Sequence, residues 1–198
     1  SWLRLTDQER EIFRCLCVFQ DGFTRKAART VCAPEMSARE FRRVLVPLVR
    51  KSMLFYDAVS DRYRIHDLLR QYGAEKLAGS PELRASVRER HSAYYCAFLQ
   101  ERTEAWHTDR QMETLQDVEQ AAANIRQAWH WALVHEKWTR LAQAMDSWRW
   151  YHRWRLHVVV FEEVCQAIVR KTKSTPTAET AVPPDSLRLR AKALTWLS

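Results

Sequence analysis

The 198-residue sequence predicts a mainly α fold in two parts, a three-helix bundle with a β-hairpin over residues 1–79 and an all-α antiparallel region over 80–198. Three observations predict it. Glycine occurs only three times, and the six prolines fall mostly at segment edges, which favours long helices with few tight turns. Two capping-box patterns, Thr6-Asp7-Gln8-Glu9 and Ser37-Ala38-Arg39-Glu40, each precede apolar residues at helical spacing. After Lys51 that spacing gives way to short β-prone runs around a polar turn.

Taken in order, Thr6 opens a helix over 7–19 whose buried side carries Ile12, Phe13, Leu16 and Phe19. The stretch QDGFT ends it, with Gly22 suited to a left-handed backbone, and Thr24 caps a short second helix burying Ala27, Ala28 and Val31. Ser37 opens a third helix that buries Phe41, Val44, Leu45, Leu48 and Val49, and Pro47, which has no N–H, is expected to kink it. SMLFY, DAVSD and RYRI then read as strand, turn and strand. Three helices followed by a hairpin describe a winged helix. Asp67 is expected to cap a helix over 67–78 that folds back through Leu68, Leu69, Tyr72 and Leu77 and stops at Gly79.

From Pro81 the pattern predicts helices at 81–106, 111–134, 138–153, 157–172 and 186–198, with the breaker-rich KSTPTAETAVPPDS before the last. Antiparallel pairs of this length suit a tetratricopeptide-like solenoid. No clean 34-residue repeat emerges, so a simple helical bundle stays open.

Charge and cysteine usage bound the function. The formal charge is +8, with 15 basic against 10 acidic residues in 1–80 and 17 against 14 in 81–198. That excess favours nucleic acid or an acidic partner surface without choosing between them. Cys15, Cys17, Cys32, Cys96 and Cys165 form no CxxC pair, so neither a disulfide framework nor a zinc site is indicated and a cytoplasmic setting is expected. No apolar run approaches the length of a membrane span, and no membrane partner is expected. The chain opens on Ser1 and closes within a helical pattern, which reads as an excised fragment of a longer protein.

Among candidate sites, Arg39, Arg42, Arg43 and Arg50 share one face of the third helix, opposite its apolar stripe. Such a face could meet DNA phosphates, but Val46 and Pro47 lie near its middle, where a base reader carries polar side chains. A protein contact is therefore the first reading and DNA the second. Trp129, Trp131, Trp138, Trp148, Trp150 and Trp154 could build an aromatic cage, though packing is the commoner use. His130 and His135, and His152 and His157, are five apart rather than the three or four that set two metal ligands on one helical face. No nucleophile and base are placed together by sequence, so no enzymatic activity is expected of this chain.

The stretch LVPLVRKSMLFYDAVSDRYRIHDLLRQYGAEKLA resembles the winged-helix segment of STAND-class signalling ATPases, the group that includes NB-ARC-type immune receptors and large bacterial transcription regulators. The class's Met-His-Asp-like triplet has its counterpart in Ile65-His66-Asp67, followed by Leu68-Leu69. RHSAYYCAFLQERTEAW and DVEQAAANIRQAWHWALVHEKWTRLAQAMDSWRWY are similar to the helical region that leads into tetratricopeptide repeats. The chain departs from the family in two places. A Gly-containing turn is replaced by Trp154, Arg155 and His157, and no GxxxxGK[ST] P-loop occurs in the 198 residues.

The resemblance implies that His66 reaches a phosphate of ADP on an upstream nucleotide-binding domain of the same polypeptide, and that Asp67 anchors its loop. It implies ADP or ATP for the full-length protein and none for this chain. It further implies a protein or small-molecule trigger at the helical repeats and self-assembly when full length; nucleic acid is the less expected partner, on the ground of Val46 and Pro47 within the arginine face. The alternative is a DNA-binding winged-helix transcription regulator with a helical ligand or oligomerisation domain.

Overall fold

A computed structural model describes residues 2–173 and 183–197. The chain is mainly helical with one two-stranded antiparallel sheet. It divides into two compact units, Ser1–Tyr94 and Tyr95–Ser198, with the division inside a helix rather than at the 79/80 junction read from sequence.

In the first unit α1 (Asp7–Leu16), α2 (Arg25–Cys32) and α3 (Ala38–Arg50) precede a hairpin of β1 (Phe55–Asp57) and β2 (Arg62–Arg64), and α4 (Asp67–Ala78) follows. Every one of these helices starts on a side-chain cap. Thr6 and Ser37 complete full capping boxes with Glu9 and Glu40, and Thr24 accepts from the Ala27 N–H. These caps satisfy N–H groups that have no partner within the helix, typically about 1 kcal/mol each. Helix α1 ends at Leu16, three residues before the sequence reading, because Val18 and Phe19 turn inward through 3₁₀-type bonds to Cys15 and Leu16. Pro47 lies within a helix that continues to Arg50, and Val49 is only half-buried.

Helix α1 packs against α2, α3 and α4. Phe13, Leu16, Phe41, Leu45 and Leu48 are fully buried at its centre, each burial contributing roughly 1.5–3 kcal/mol. The approach of α4 to α1 needs Gly73, since a Cβ there would lie 2.3 Å from Cys17 Sγ. The inner stripe of α4 is Leu69, Gly73 and Leu77, one helical row, so Leu68 falls off it and is 69% exposed rather than part of the core. Phe23 pairs with Tyr63 through two backbone bonds (2.9 and 2.8 Å), tying the α1–α2 connection to the hairpin. Asp21 takes the left-handed conformation (φ 58°), and Gly22 (φ 156°) lets Tyr63 and Arg64 pass close by.

The first part of α5 (Pro81–Gln100) belongs to this unit, which is why the division falls late. Val87 and His91 are buried, the His91 ring lies 5.3 Å from Phe19, and Arg90 Nε donates to the Val31 carbonyl at 2.6 Å.

The second unit holds the end of α5, a 3₁₀ turn (Glu104–His107), α6 (Gln111–Val134), α7 (Trp138–Trp154), α8 (Val158–Lys173) and α9 (Pro184–Leu197). Helix α7 is central, packing on α6, α8 and α9. Ala121, Ala128, Ala132 and Ala144 are buried, and the Trp106 indole N–H donates to Ser147 Oγ at 2.7 Å inside the core. The connections α6–α7 and α7–α8 repeat one geometry. Glu136 (φ 55°) and Leu156 (φ 56°) take the left-handed conformation, while Lys137 and His157 N–H groups return to the Ala132 and His152 carbonyls, both at 2.9 Å. Most of the breaker-rich stretch, residues 174–182, lies outside the described residues.

Candidate functional site

A basic surface in the first unit grows directly from the α3 pattern. Phe41, Val44, Leu45 and Leu48 turn inward, which leaves Arg39, Arg42, Arg43, Val46 and Arg50 on the solvent side. Val46 is 38% exposed and Pro47 half-buried, so the apolar spot expected amid the arginines is present but small.

These four arginines differ from those that form ion pairs. Arg10, Arg70, Arg102, Arg110, Arg155 and Arg188 each hold a carboxylate. Among the described residues Arg39, Arg42, Arg43 and Arg50 form no ion pair. The sole acid of α3, Glu40, is engaged in capping, with Oε2 accepting from the Ser37 N–H at 2.9 Å. Hydrogen bonds from Ser37, with a smaller contribution from Arg43, hold its carboxyl below the usual carboxylate range. Like charges three and four residues apart repel along a helix, so this face favours an anion from outside.

His66 and Asp67 occupy a different place, the junction of β2 and α4. The cap of α4 is His66, not Asp67: the Leu68 N–H donates to His66 Nδ1 at 3.4 Å. Asp67 is the first residue inside the helix, and its carboxylate accepts from Arg70 at 3.1 Å. The reason is register, since an Asp at this first position is too far along to reach the N–H groups a cap serves, and instead meets the side chain three residues on. A neutral imidazole that accepts at Nδ1 carries its hydrogen on Nε2, and that exposed ring stands at the rim of a pocket.

The pocket is lined by Phe19, Asp21, Gly22, Phe55, Arg64 and Arg70 besides His66 and Asp67. None of the α3 arginines lines it. Sequence reasoning did not name Arg64, Arg70 or Phe55; the alternation of β2 could have flagged Arg64, but Arg70 and Phe55 come near only because α4 and the hairpin fold onto the α1–α2 turn.

In the second unit Trp129, Trp138 and Trp148 are core residues, whereas Trp131 stacks on His135 (3.8 Å between centroids) and Trp154 is exposed. His152 and His157 come within 5.8 Å despite their five-residue spacing, because the Leu156 turn folds one back on the other. The His152 imidazole is buried against Trp148 and Phe161, and among the described residues neither of its nitrogens has a hydrogen-bond partner. Burial, with the nearby charges of His157 and Arg126, lowers its pKa to about 4. All five cysteines are buried free thiols, and burial pushes Cys17 and Cys165 up to about 12, which leaves them inert as nucleophiles. Among the described residues no helix is long and apolar enough to cross a membrane.

Comparison with known proteins adds one relationship. Over 146 residues the chain is 32% identical to large proteins carrying the provisional name of HTH-type transcriptional regulators, one in Mycobacterium bovis and two in strains of Mycobacterium tuberculosis. The match takes in 72% of this chain and 16% of each relative, so the chain spans about a sixth of the length of the proteins it resembles. No family model matches the sequence, and no solved structure matches it.

Proposed function

We propose that this chain is the winged-helix and helical segment of a large transcription regulator, and that the arginine face of α3 contacts duplex nucleic acid. The observation that carries this reading is the set of four exposed arginines with no carboxylate partner among the described residues. Guanidinium groups on a helix of this width meet phosphates along a groove, and each phosphate neutralised releases counterions. Val46 then offers an apolar contact of the kind a thymine methyl accepts. The relatives' names support this reading over the protein-contact reading that the sequence ranked first.

Fluorescence anisotropy with a mixed-sequence duplex tests it. The chain is expected to bind with affinity falling steeply in salt, and Arg39→Gln/Arg42→Gln/Arg43→Gln to lower the salt slope by roughly three. Equal binding by that variant and the unmodified chain would sink the reading.

His66 favours a second reading, the regulatory module of a STAND-class ATPase with a tetratricopeptide-like sensor. Its Nε2–H, beside Arg64 and Arg70, could donate to a nucleotide phosphate held by another domain of the same polypeptide. In a longer protein containing that domain, His66→Ala would speed ADP release; unchanged release would remove this role.

A further inference from the structure

We propose that the face of α7 carrying Arg149, Trp150 and Arg153, flanked by His107, is a docking surface for an acidic protein segment. This goes beyond the α3 reading and does not depend on it. The guanidinium carbons of Arg149 and Arg153 lie over the Trp150 ring at 5.5 and 5.6 Å from its centroid. His107 meets the same indole edge-on at 5.1 Å, with the two planes at 89°. Trp150 is half-buried and Arg153 exposed.

Two features of this cluster call for an external anion. Arg149 and Arg153 are one helical turn apart, a like-charge pairing that destabilises an isolated helix. Among the described residues neither has a carboxylate, because those on the neighbouring elements hold other groups. Asp146 holds Lys192 at 2.6 Å, Glu119 holds Arg155 at 2.7 Å and Tyr151 at 3.0 Å, and Asp117 holds Arg102 at 2.8 Å. In addition, Arg149 Nε is buried with no hydrogen-bond partner, so part of that guanidinium has already lost its water. Cation–π contact with the indole orients both guanidiniums and lowers the entropy lost when a carboxylate arrives.

The same contacts select the class of partner. A single-stranded nucleic acid would use the aromatic face as a platform for a base. Here that ring is already met by two guanidiniums and an imidazole, so carboxylates fit the remaining donors better than bases do.

The test uses the full chain and a short fluorescein-labelled oligoglutamate peptide, with a single-stranded oligonucleotide of matched charge as competitor, at physiological salt. The peptide is expected to bind, and Arg149→Gln/Arg153→Gln to weaken it about tenfold with the far-ultraviolet circular dichroism unchanged. Arg39→Gln/Arg42→Gln/Arg43→Gln is expected to leave peptide binding in place, which separates this surface from the α3 face. The proposal is overturned if the unmodified chain does not bind the peptide. It also falls if the α7 variant binds like the unmodified chain, if the α3 variant loses the peptide equally, or if the α7 variant loses only the oligonucleotide.

Discussion

The two units begin their helices by different means. In the first, Thr6, Thr24, Ser37 and His66 all cap helix N-termini with side chains. In the second, α6 and α7 start at Arg110 and Lys137 with no side-chain cap; their ends at Glu136 and Leu156 match that of α3, where Ser52 (φ 56°) is also held left-handed without glycine. The first unit therefore carries its boundaries in local chemistry. The second relies on packing around α7 to fix where α6 and α7 begin.

Acid separates the two most strongly. His152 is neutral and buried in the folded chain with a pKa of about 4, whereas an unfolded imidazole titrates near 6.5. The unfolded state takes up the proton first, so the second unit's stability is complete well above pH 6.5 and declines as pH falls toward 4, by about 3 kcal/mol. In the first unit burial raises the Glu9 pKa, but hydrogen bonds from Lys51 and Thr6 and the Lys51 charge together bring it below the ordinary value. Its contribution is present above the unfolded carboxylate pKa and is lost only as pH falls below that. Hydrogen exchange at pH 7 and 5 should show protection falling within 95–173 and holding within 7–57, and His152→Phe should flatten the response. Equal loss in both units would break the distinction.

Gly73→Ala probes the close packing of α4 on α1. The new methyl meets Cys17 Sγ, and a loss of about 1–3 kcal/mol is expected in urea denaturation. Cys17→Ala in the same chain should recover part of it; additive losses from the two changes would show that the contact is not the cause.

The smallest effects have opposite signs. Thr6→Ala removes a capping-box hydroxyl and should cost about 1 kcal/mol. Leu156→Gly relieves a left-handed residue that is 83% exposed, and should raise stability by a few tenths to about 1 kcal/mol. Thermal unfolding of the two variants resolves the signs, and a destabilised Leu156→Gly would mean that the leucine packs in a way its exposure does not suggest.

The sequence by itself determined the mainly α class, the capping boxes at Thr6 and Ser37, the hairpin after Lys51, and the separation of the α3 arginines from its apolar stripe. Those features are local, because a cap, a turn or a helical face is set by residues within a few positions of one another. Only the tertiary structure decided that His66 rather than Asp67 caps α4, that Leu68 is exposed, and that α5 begins within the first unit. It alone decided that Arg64, Arg70 and Phe55 join His66 around one pocket, and that Arg149 and Arg153 converge on Trp150 beside His107. Each of these depends on which helical row meets a neighbour from elsewhere in the chain. One residue of register, about 100° of rotation, separates the inward row of half-buried Leu69 and buried Gly73 and Leu77 from exposed Leu68.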